Sequence, residues 1–182
     1  MQRRAAADQR HIILPEGEDP RTVAAAGICI AEKIAKITLI GAEDKIRQAA
    51  AETGTQLNGI NIIDHRRSEH IARLASLYYE IRRAKGVTLE EAENAVRDRL
   101  RFANLLVRDG RADGSVAGAT NTTAHTVAAA LRCIGTRPGL KTVSSFFLMV
   151  VPNKAFGEKG AMIYSDCGIV IDPDAAQLAE IA

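Results

Sequence analysis

Short apolar runs alternate with segments of helical periodicity along most of this chain, and this alternation limits its possible folds more than any other feature. His11–Leu14, Ile37–Ile40 and Ile60–Ile63 have the length and character of buried strands. Between the first two runs, apolar residues recur at spacings of three and four after Asp19 and Pro20, which are suited to begin a helix. The pattern predicts an α/β fold: a three-layer αβα arrangement with a mostly parallel sheet.

The alternation continues beyond the third strand. Residues 71–81 have helical periodicity up to Gly86, and Thr88–Glu91 forms a capping box that starts a helix running to Gly110. Residues 115–119 form a predicted strand of small residues, and residues 124–134 form a predicted helix. We therefore expect strand and helix to keep alternating through this region.

The last part of the chain has the character of a second unit. Pro138-Gly139 is a predicted linker, after which Val143–Val151 is a continuous apolar strand of the kind that is covered on both faces. Residues 161–171 form a predicted returning strand, and Asp172-Pro173 opens a predicted helix. We expect an amino-terminal α/β domain over residues 1–140 and the beginning of a second α/β domain, truncated, over residues 141–182.

Composition excludes several classes of protein. Lys and Arg number 24 against 22 Asp and Glu, and aromatic residues make up only 4%, so neither a nucleic-acid-binding field nor a base-stacking surface is expected. The apolar stretch near residue 147 is well short of the roughly 20 residues of a membrane span. The three cysteines are widely separated and no His or Cys spacing suits a metal, so we expect a cytoplasmic protein without a metal site.

The segment 113–123 is the strongest candidate for chemistry. It runs from a strand of small residues into a helix that begins with Thr122 and Thr123, so an anion could gain hydroxyl donors and the unpaired amides of the first turn. The alternative is that one of these threonines only caps the helix. The segment 113–123 contains neither a nucleotide-binding P-loop motif nor a dinucleotide fingerprint.

Arginine and serine side chains add further candidates. Arg82 lies in the last turn of a predicted helix, where it could bind phosphate or interact only with the helix terminus, and sequence alone favours the second interpretation. Ser144 and Ser145 precede an apolar strand, so their hydroxyls could face a cleft or a neighbouring backbone.

Several motifs together resemble the phosphate acetyltransferase family, and the resemblance extends from about residue 11 to the end of the chain. They are Leu-Pro-Glu-Gly-Glu-Asp-Pro-Arg-Thr (14–22), Tyr-Tyr-Glu-Ile-Arg-Arg-Ala-Lys-Gly-Val-Thr-Leu-Glu-Glu-Ala (78–92), Ala-Asp-Gly-Ser-Val-Ala-Gly-Ala-Thr-Asn-Thr-Thr-Ala (112–124) and Val-Ser-Ser-Phe-Phe-Leu-Met (143–149). The resemblance implies reversible acetyl transfer between coenzyme A and phosphate, with acetyl-CoA and acetyl phosphate as small-molecule substrates and no bound cofactor. It also implies that Arg82, Thr122, Thr123, Ser144 and Ser145 contact substrate.

Two departures leave alternatives open. The family usually carries an arginine two positions beyond Thr126, where this chain has Ala128, and Arg132, one turn further along the same helix, is a candidate replacement. Family members are nearly twice as long, so the expected catalytic base lies beyond Ala182 and is unknown here. The chain is thus expected to be inactive alone, and its expected protein partner is a missing carboxy-terminal half or further copies in a homo-oligomer. The alternatives are a non-catalytic anion-binding remnant and a phosphate butyryltransferase-like enzyme.

Overall fold

The computed structural model describes residues 2–182, which form two compact units that divide between Gly135 and Thr136. In the first unit the elements are α1 (Gln2–Ala7), β1 (Arg10–Leu14), α2 (Pro20–Ala31), β2 (Ala35–Ile40), α3 (Glu43–Thr53), β3 (Ile60–Ile63), α4 (Ile71–Arg82), α5 (Leu89–Ala95), α6 (Arg99–Arg108), β4 (Gly114–Ser115) and α7 (Thr123–Cys133). In the second they are β5 (Phe146–Val150), β6 (Ala161–Ser165) and α8 (Ala175–Ile181). The predicted linker at Pro138-Gly139 falls just after this division, and the domain assignment stays a prediction. No helix within residues 2–182 combines the length and apolar character needed to cross a bilayer.

The first unit is built on a parallel four-stranded sheet with the order β3-β2-β1-β4. Ile12 of β1 lies opposite Ile37 of β2 on one side and Gly114 of β4 on the other. Strand order therefore reverses at β1, because β2 and β3 extend the sheet in one direction and β4 in the other. This arrangement confirms the predicted α/β fold.

Helices cover both faces of this sheet. Alternate residues of β1 and β2 point to opposite faces, so that Leu39 packs with α2 and α3 while Ile40 packs with α4 to α7. Each face has its own buried cluster, with Ile46 at 0% exposure in one and Phe102 at 0% in the other. The result is the predicted three-layer arrangement.

Local capping signals place several helix boundaries where the sequence predicts them. The Asp19 side chain accepts a hydrogen bond from the Arg21 amide at the start of α2, and Thr88 and Glu91 form a reciprocal capping box at the start of α5. Gly54 ends α3 in the left-handed conformation, with φ of 66°. These boundaries depend only on neighbouring residues.

The single helix predicted from Thr88 to Gly110 is wrong. The chain forms α5 and α6, because Asp98 adopts an extended backbone and its side chain accepts a hydrogen bond from the Arg101 amide to begin a new helix. Leu89, the first residue of α5, is apolar but 51% exposed. A good N-cap residue inside an apolar repeat has here interrupted the helix.

The strand predicted over residues 115–119 is also shorter than expected. β4 contains only Gly114 and Ser115. The last backbone hydrogen bond between this segment and β1 is donated by the Val116 amide to the Ile13 carbonyl, at 3.0 Å. Beyond Val116 the chain leaves the sheet, and a side chain satisfies its amides instead.

The second unit differs from expectation in burial. β5 and β6 form an antiparallel pair, with Leu148 opposite Ile163. The predicted burial of both faces is wrong for the described chain, because the residues of β5 are between 45% and 64% exposed. The last helix begins after Asp174, which forms a capping box with Gln177, and not after Asp172 as predicted.

Candidate functional site

A crevice lies where the strand order reverses in the first unit. β1 and β4 are parallel neighbours, and the chain leaves their carboxyl ends in the segments 15–19 and 116–122. Open α/β sheets bind ligands at this position, because the connections on the two sides diverge and leave a gap. The predicted anion-binding segment therefore lies at the expected place in the fold.

The Glu16 carboxylate fills the centre of this crevice. Its Oε2 accepts hydrogen bonds from the amides of Gly118 and Ala119, and its Oε1 accepts from the amides of Thr120 and Asn121, each at 2.7 Å. The Thr120 hydroxyl and the Asn121 side-chain amide also donate to Oε1, at 3.0 and 2.8 Å. Glu16 is 2% exposed, so six donors surround a buried negative charge.

These contacts determine the charge of Glu16. Burial raises the pKa of the carboxyl group, but the hydrogen bonds from the Thr120, Ala119 and Asn121 groups outweigh burial and lower the pKa to about 2. Glu16 is therefore ionised at neutral pH, and its carboxylate is the anion to which the amides of residues 118–121 donate.

The sequence analysis predicted an anion at the hydroxyl groups and first-turn amides of the helix after this loop. It did not predict that four amides of the loop itself, in residues 118–121, donate to Glu16. Sequence reasoning missed Glu16 because its partners lie more than 100 positions away, at separations of 102 to 105. The available signal was a glutamate directly after a buried strand, at the edge where the loop was expected.

Thr122 and Thr123 lie directly after residues 118–121, the loop whose amides donate to Glu16. Thr122 caps α7, since its hydroxyl oxygen accepts a hydrogen bond from the His125 amide at 3.2 Å. Both threonines are exposed. The capping interpretation of Thr122 is therefore confirmed, and its hydroxyl proton remains able to point outward to an acceptor.

Glycine is required at two positions in the crevice. Gly118 has φ of 111°, a backbone conformation that side chains rarely allow. A Cβ at Gly17 would lie 2.9 Å from the Ile40 carbonyl oxygen, so the segment after β1 packs against β2 only without a side chain there.

A cleft of about 250 Å³ opens beside Glu16, lined by Glu18, Asp19, Pro20, Arg99 and Thr120. Glu18 accepts a hydrogen bond from the Ala42 amide at 3.0 Å and pairs with Arg99 at 3.4 Å. Burial raises the pKa of Glu18, but these contacts outweigh it, so that the pKa lies below its usual range. The cleft is polar, and its carboxylates are held by the fold.

Arg21 connects the first turn of α2 to the loop. Its guanidinium pairs with Asp19 at 2.9 Å and donates to the Ala119 carbonyl at 2.7 Å. The hydrogen bond to Arg21 is the main cause that lowers the pKa of Asp19 to about 2. The loop is therefore fixed through its carbonyl groups as well as its amides.

His65 follows β3 at the same edge of the sheet and is buried, at 2% exposure. Its ring lies edge-on to Phe102, with centroids 6.2 Å apart, and its Nδ1 has no hydrogen-bond partner within residues 2–182. Burial lowers the pKa of the imidazole, and Arg99 lowers it further. His65 is thus a neutral side chain of the core.

Arg82 ends α4 with its Nε buried and, in the described part of the chain, without a hydrogen-bond partner. Its helix, α4, contacts α7. Cys133 of α7 is buried, and burial raises the pKa of its thiol to about 12. The hydroxyl of Thr126, also on α7, is likewise buried and unpartnered among these residues.

Ser144 and Ser145 belong to the second unit. The Ser145 hydroxyl donates to Asp166 at 2.8 Å, and the Ser144 hydroxyl lies 3.2 Å from that of Ser165. Asp166 also accepts hydrogen bonds from the Gly168 and Ile169 amides, which hold the pKa of its carboxyl well below the usual range. The structure thus brings Thr122 and Thr123 together in one unit and the two serines together in the other.

Comparison with known proteins decides the family. Residues 1–182 match the family described as Phosphate acetyl/butaryl transferase. The chain belongs to this family. It is 45% identical over 179 residues to a phosphate acetyltransferase of Acetivibrio thermocellus, covering 98% of this chain and 53% of that protein. It is 46% identical over 178 residues to the phosphate acetyltransferase of Paracoccus denitrificans, covering 98% of this chain and 52% of that protein.

Solved structures of the family agree with the fold. A phosphotransacetylase from Streptococcus pyogenes matches with a TM-score of 0.88 and 33% identity, over 98% of this chain and 53% of that chain. The chain therefore spans about half the length of the curated relatives that it matches. The family and fold expected from the sequence motifs are both confirmed.

Proposed function

We propose that this chain takes part in the reversible transfer of an acetyl group between acetyl-CoA and phosphate, with acetyl phosphate and coenzyme A on the other side of the reaction. Family membership over residues 1–182 is the observation that carries this proposal. The crevice supports it, because exposed threonine hydroxyls stand at the start of α7 beside a rigid loop.

In the proposed reaction the sulfur of coenzyme A, as a thiolate, forms a bond to the acetyl carbon of acetyl phosphate. The bond from that carbon to the phosphate oxygen breaks, and its electron pair leaves with phosphate. Thr122 and Thr123 would donate hydrogen bonds to the phosphoryl oxygens, aided by the positive end of the α7 dipole. The amides of residues 118–121 take no part, since Glu16 occupies them.

We also propose roles for the remaining predicted residues. Arg82 would supply positive charge to the substrate phosphate or to coenzyme A, and Ser144 and Ser145 would contact substrate. We assign no catalytic base within the chain. Because the relatives are about twice as long, the complete reaction is proposed to need a carboxy-terminal half. The partner of the chain is proposed to be this half or a second copy in a homo-oligomer.

Reconstitution tests this proposal. The chain alone should give no measurable acetyl transfer, whereas the chain combined with the part of the Acetivibrio thermocellus relative beyond the matched region should form acetyl-CoA from acetyl phosphate. In the combined enzyme, Thr123→Val should reduce kcat/KM about 100-fold. Robust turnover by the chain alone would disprove the need for a second half.

Thr126→Val is the matched control for that experiment, because it makes the same change on the same helix at a hydroxyl that is buried and lacks a partner within residues 2–182. Activity should change less than about threefold, in line with the small effect of replacing an unpaired hydroxyl by a methyl group. Equal losses in the two variants would show that Thr123 acts through the helix and not through substrate.

Ala128 supports a second candidate function, a non-catalytic anion-binding protein of the same fold. The residue is half-buried on α7 at the position where the resemblance places an arginine. Phosphate binding by the chain, together with an inactive reconstituted enzyme, would favour this alternative. Competition between acetyl phosphate and butyryl phosphate in the reconstituted enzyme distinguishes an acetyl from a longer acyl substrate.

We further propose a cytoplasmic location, with coenzyme A entering as a substrate and no cofactor bound throughout. Support comes from the cysteines, since Cys29, Cys133 and Cys167 are all free thiols. Among residues 2–182, no group of three His, Cys, Asp or Glu side chains is placed to hold a metal ion.

A further inference from the structure

We propose that Glu16 is a positioning residue of the candidate site, whose carboxylate serves as a fixed internal anion that holds residues 118–121 in the conformation that presents Thr122 and Thr123. This inference rests on the proposed function for the identity of the ligand. The Glu16 carboxylate accepts the hydrogen bonds that a bound oxyanion accepts in other loops of this shape.

The geometry of the loop is that of an anion site. Consecutive amides from Gly118 to Asn121 converge on one carboxylate, each with an N···O distance of 2.7 Å. Runs of successive amides that point into one concavity bind phosphate and other anions in many proteins. Here the anion is covalently part of the chain, so the loop keeps its shape whether or not substrate is present.

The loop depends on this anion because the sheet does not hold it. Pairing between β1 and β4 ends at Val116, and Gly118 has the positive φ that turns the chain away from the strand. Without the carboxylate, the four amides would lose the acceptor that holds them. Gly118, Ala119 and Thr120 are exposed, so their amides would then be satisfied by water in many loop conformations instead of one.

The hydrogen bonds that begin at Glu16 continue into α7 through Asn121. The Asn121 side chain donates from Nδ2 to Glu16 at 2.8 Å, and its Oδ1 lies 3.0 Å from Nδ1 of His125 in the first turn of the helix. The residue that follows Asn121 is the N-cap Thr122. Glu16 therefore fixes the point at which α7 begins and, with it, the direction of the threonine hydroxyls.

Removing the carboxylate should convert an internal contact into an open binding site. Glu16→Ala deletes a CH2–COO⁻ group, which has the size and charge of acetate. The vacated loop should then accept acetate from solution, whereas the wild-type loop is already filled. If the Glu16 side chain contributed only packing, the Glu16→Ala variant would show no preference for acetate over other anions.

The first experiment measures thermal unfolding of the 182-residue chain. Glu16→Ala should lower Tm by about 5–10 °C, given 2–4 °C per kcal/mol for a chain of this size. Acetate at about 100 mM should recover at least roughly half of this loss, as expected for a ligand that binds only the folded state. Sodium chloride at the same ionic strength should recover none.

Two further variants make this result specific. Glu16→Gln keeps the size of the side chain but directs an NH2 group towards backbone N–H donors, so it should lose stability without any acetate response. Ile46→Val, on the buried side of α3, should lower Tm by about 1–6 °C and also show no acetate response. If acetate and chloride act alike on Glu16→Ala, or if acetate stabilises Ile46→Val equally, the inference is wrong.

The second experiment connects the hydrogen bonds of Glu16 to ligand binding. Inorganic phosphate and acetyl phosphate should shift the amide resonances of Thr122 and Thr123 in the wild-type chain, and Glu16→Gln should weaken this binding about tenfold, the effect of losing roughly 1.4 kcal/mol of preorganisation. Equal affinity in the two proteins would overturn the positioning role. No response in the wild type would count against the proposed function, while acetate rescue would still decide whether Glu16 is the internal anion.

Discussion

At the scale of single residues, Glu16 and Glu18 show how position separates two carboxylates that are almost adjacent in the chain. Glu16 accepts hydrogen bonds from the loop after β4, whereas Glu18 accepts one from the Ala42 amide and pairs with Arg99. Both carboxyl groups have lowered pKa values in spite of their burial. A negative charge is therefore maintained inside the crevice because the fold supplies donors, not because water does.

The stability of the chain should depend on pH through Glu16. Its pKa falls from 4.5 to about 2 on folding, so its ionised form favours the folded state above pH 4.5, and this contribution disappears as the pH falls to about 2. Glu16→Gln should thus reduce the free energy of unfolding by about 2–3 kcal/mol at pH 7. The difference from wild type should shrink between pH 4.5 and 2, as measured by urea unfolding.

The exposed side chain of Glu43, paired with Arg47 on the surface of α3, provides the control for this pH series. Glu43→Gln should change the free energy of unfolding by less than about 0.5 kcal/mol. A constant gap between wild type and Glu16→Gln over the whole pH range would show that ionisation of Glu16 does not contribute.

How much of this could be predicted depended on the distance between partners in the sequence. The cap at Asp19 and the strand at Ile60–Ile63 were predictable because their signals are local. The role of Glu16 was not, because its donors lie at separations of 102 to 105 and are recognisable only after β1 and β4 are neighbours. The resemblance to a family indicated the right family without identifying this contact.

At the scale of elements, the separation of α5 from α6 shows how one polar residue can outweigh an apolar repeat. Asp98 satisfies the Arg101 amide and lies 3.5 Å from His125 on α7. Periodicity alone could not reveal this break, because Val96 and Leu100 are both buried as a continuous helix would require. The break allows α6 to lie under the sheet while α5 packs against α4.

Removing this cap should weaken the first unit. Asp98→Ala should lower the free energy of unfolding by about 1–2 kcal/mol, since the Arg101 amide loses its acceptor and His125 loses its partner. Thr88→Ala, which removes the cap of the more exposed α5, should cost about 1 kcal/mol or less. Urea unfolding of both variants checks this, and a smaller effect for Asp98→Ala than for Thr88→Ala would contradict it.

At the scale of the whole molecule, the two units differ in how completely they bury their apolar residues. The first unit has an apolar cluster on each face of its sheet. In the second, Phe147 is 57% exposed, Ile163 is 68% exposed and Ile171 is 99% exposed. Large apolar side chains exposed on neighbouring strands are typical of interaction surfaces, and the β5–β6 pair has this character.

The isolated chain is therefore expected to self-associate through the β5–β6 pair or to be poorly stable. Leu148→Thr combined with Ile163→Thr, a directly paired position in the sheet, should shift the chain towards monomer in sedimentation velocity experiments. Val116→Thr, at an apolar residue that is 62% exposed in the first unit, should leave association unchanged. A monodisperse wild-type monomer with a cooperative melting transition would contradict this expectation.

The contact between Glu16 and Asn121 also has a kinetic consequence. Its two ends are 105 positions apart, and loop-closure entropy delays contacts between residues so distant in the sequence during folding. The crevice should consequently be one of the last parts of the unit to form. Partly folded chains would therefore already contain the sheet and its helices while the loop of residues 118–121 still lacks a fixed conformation.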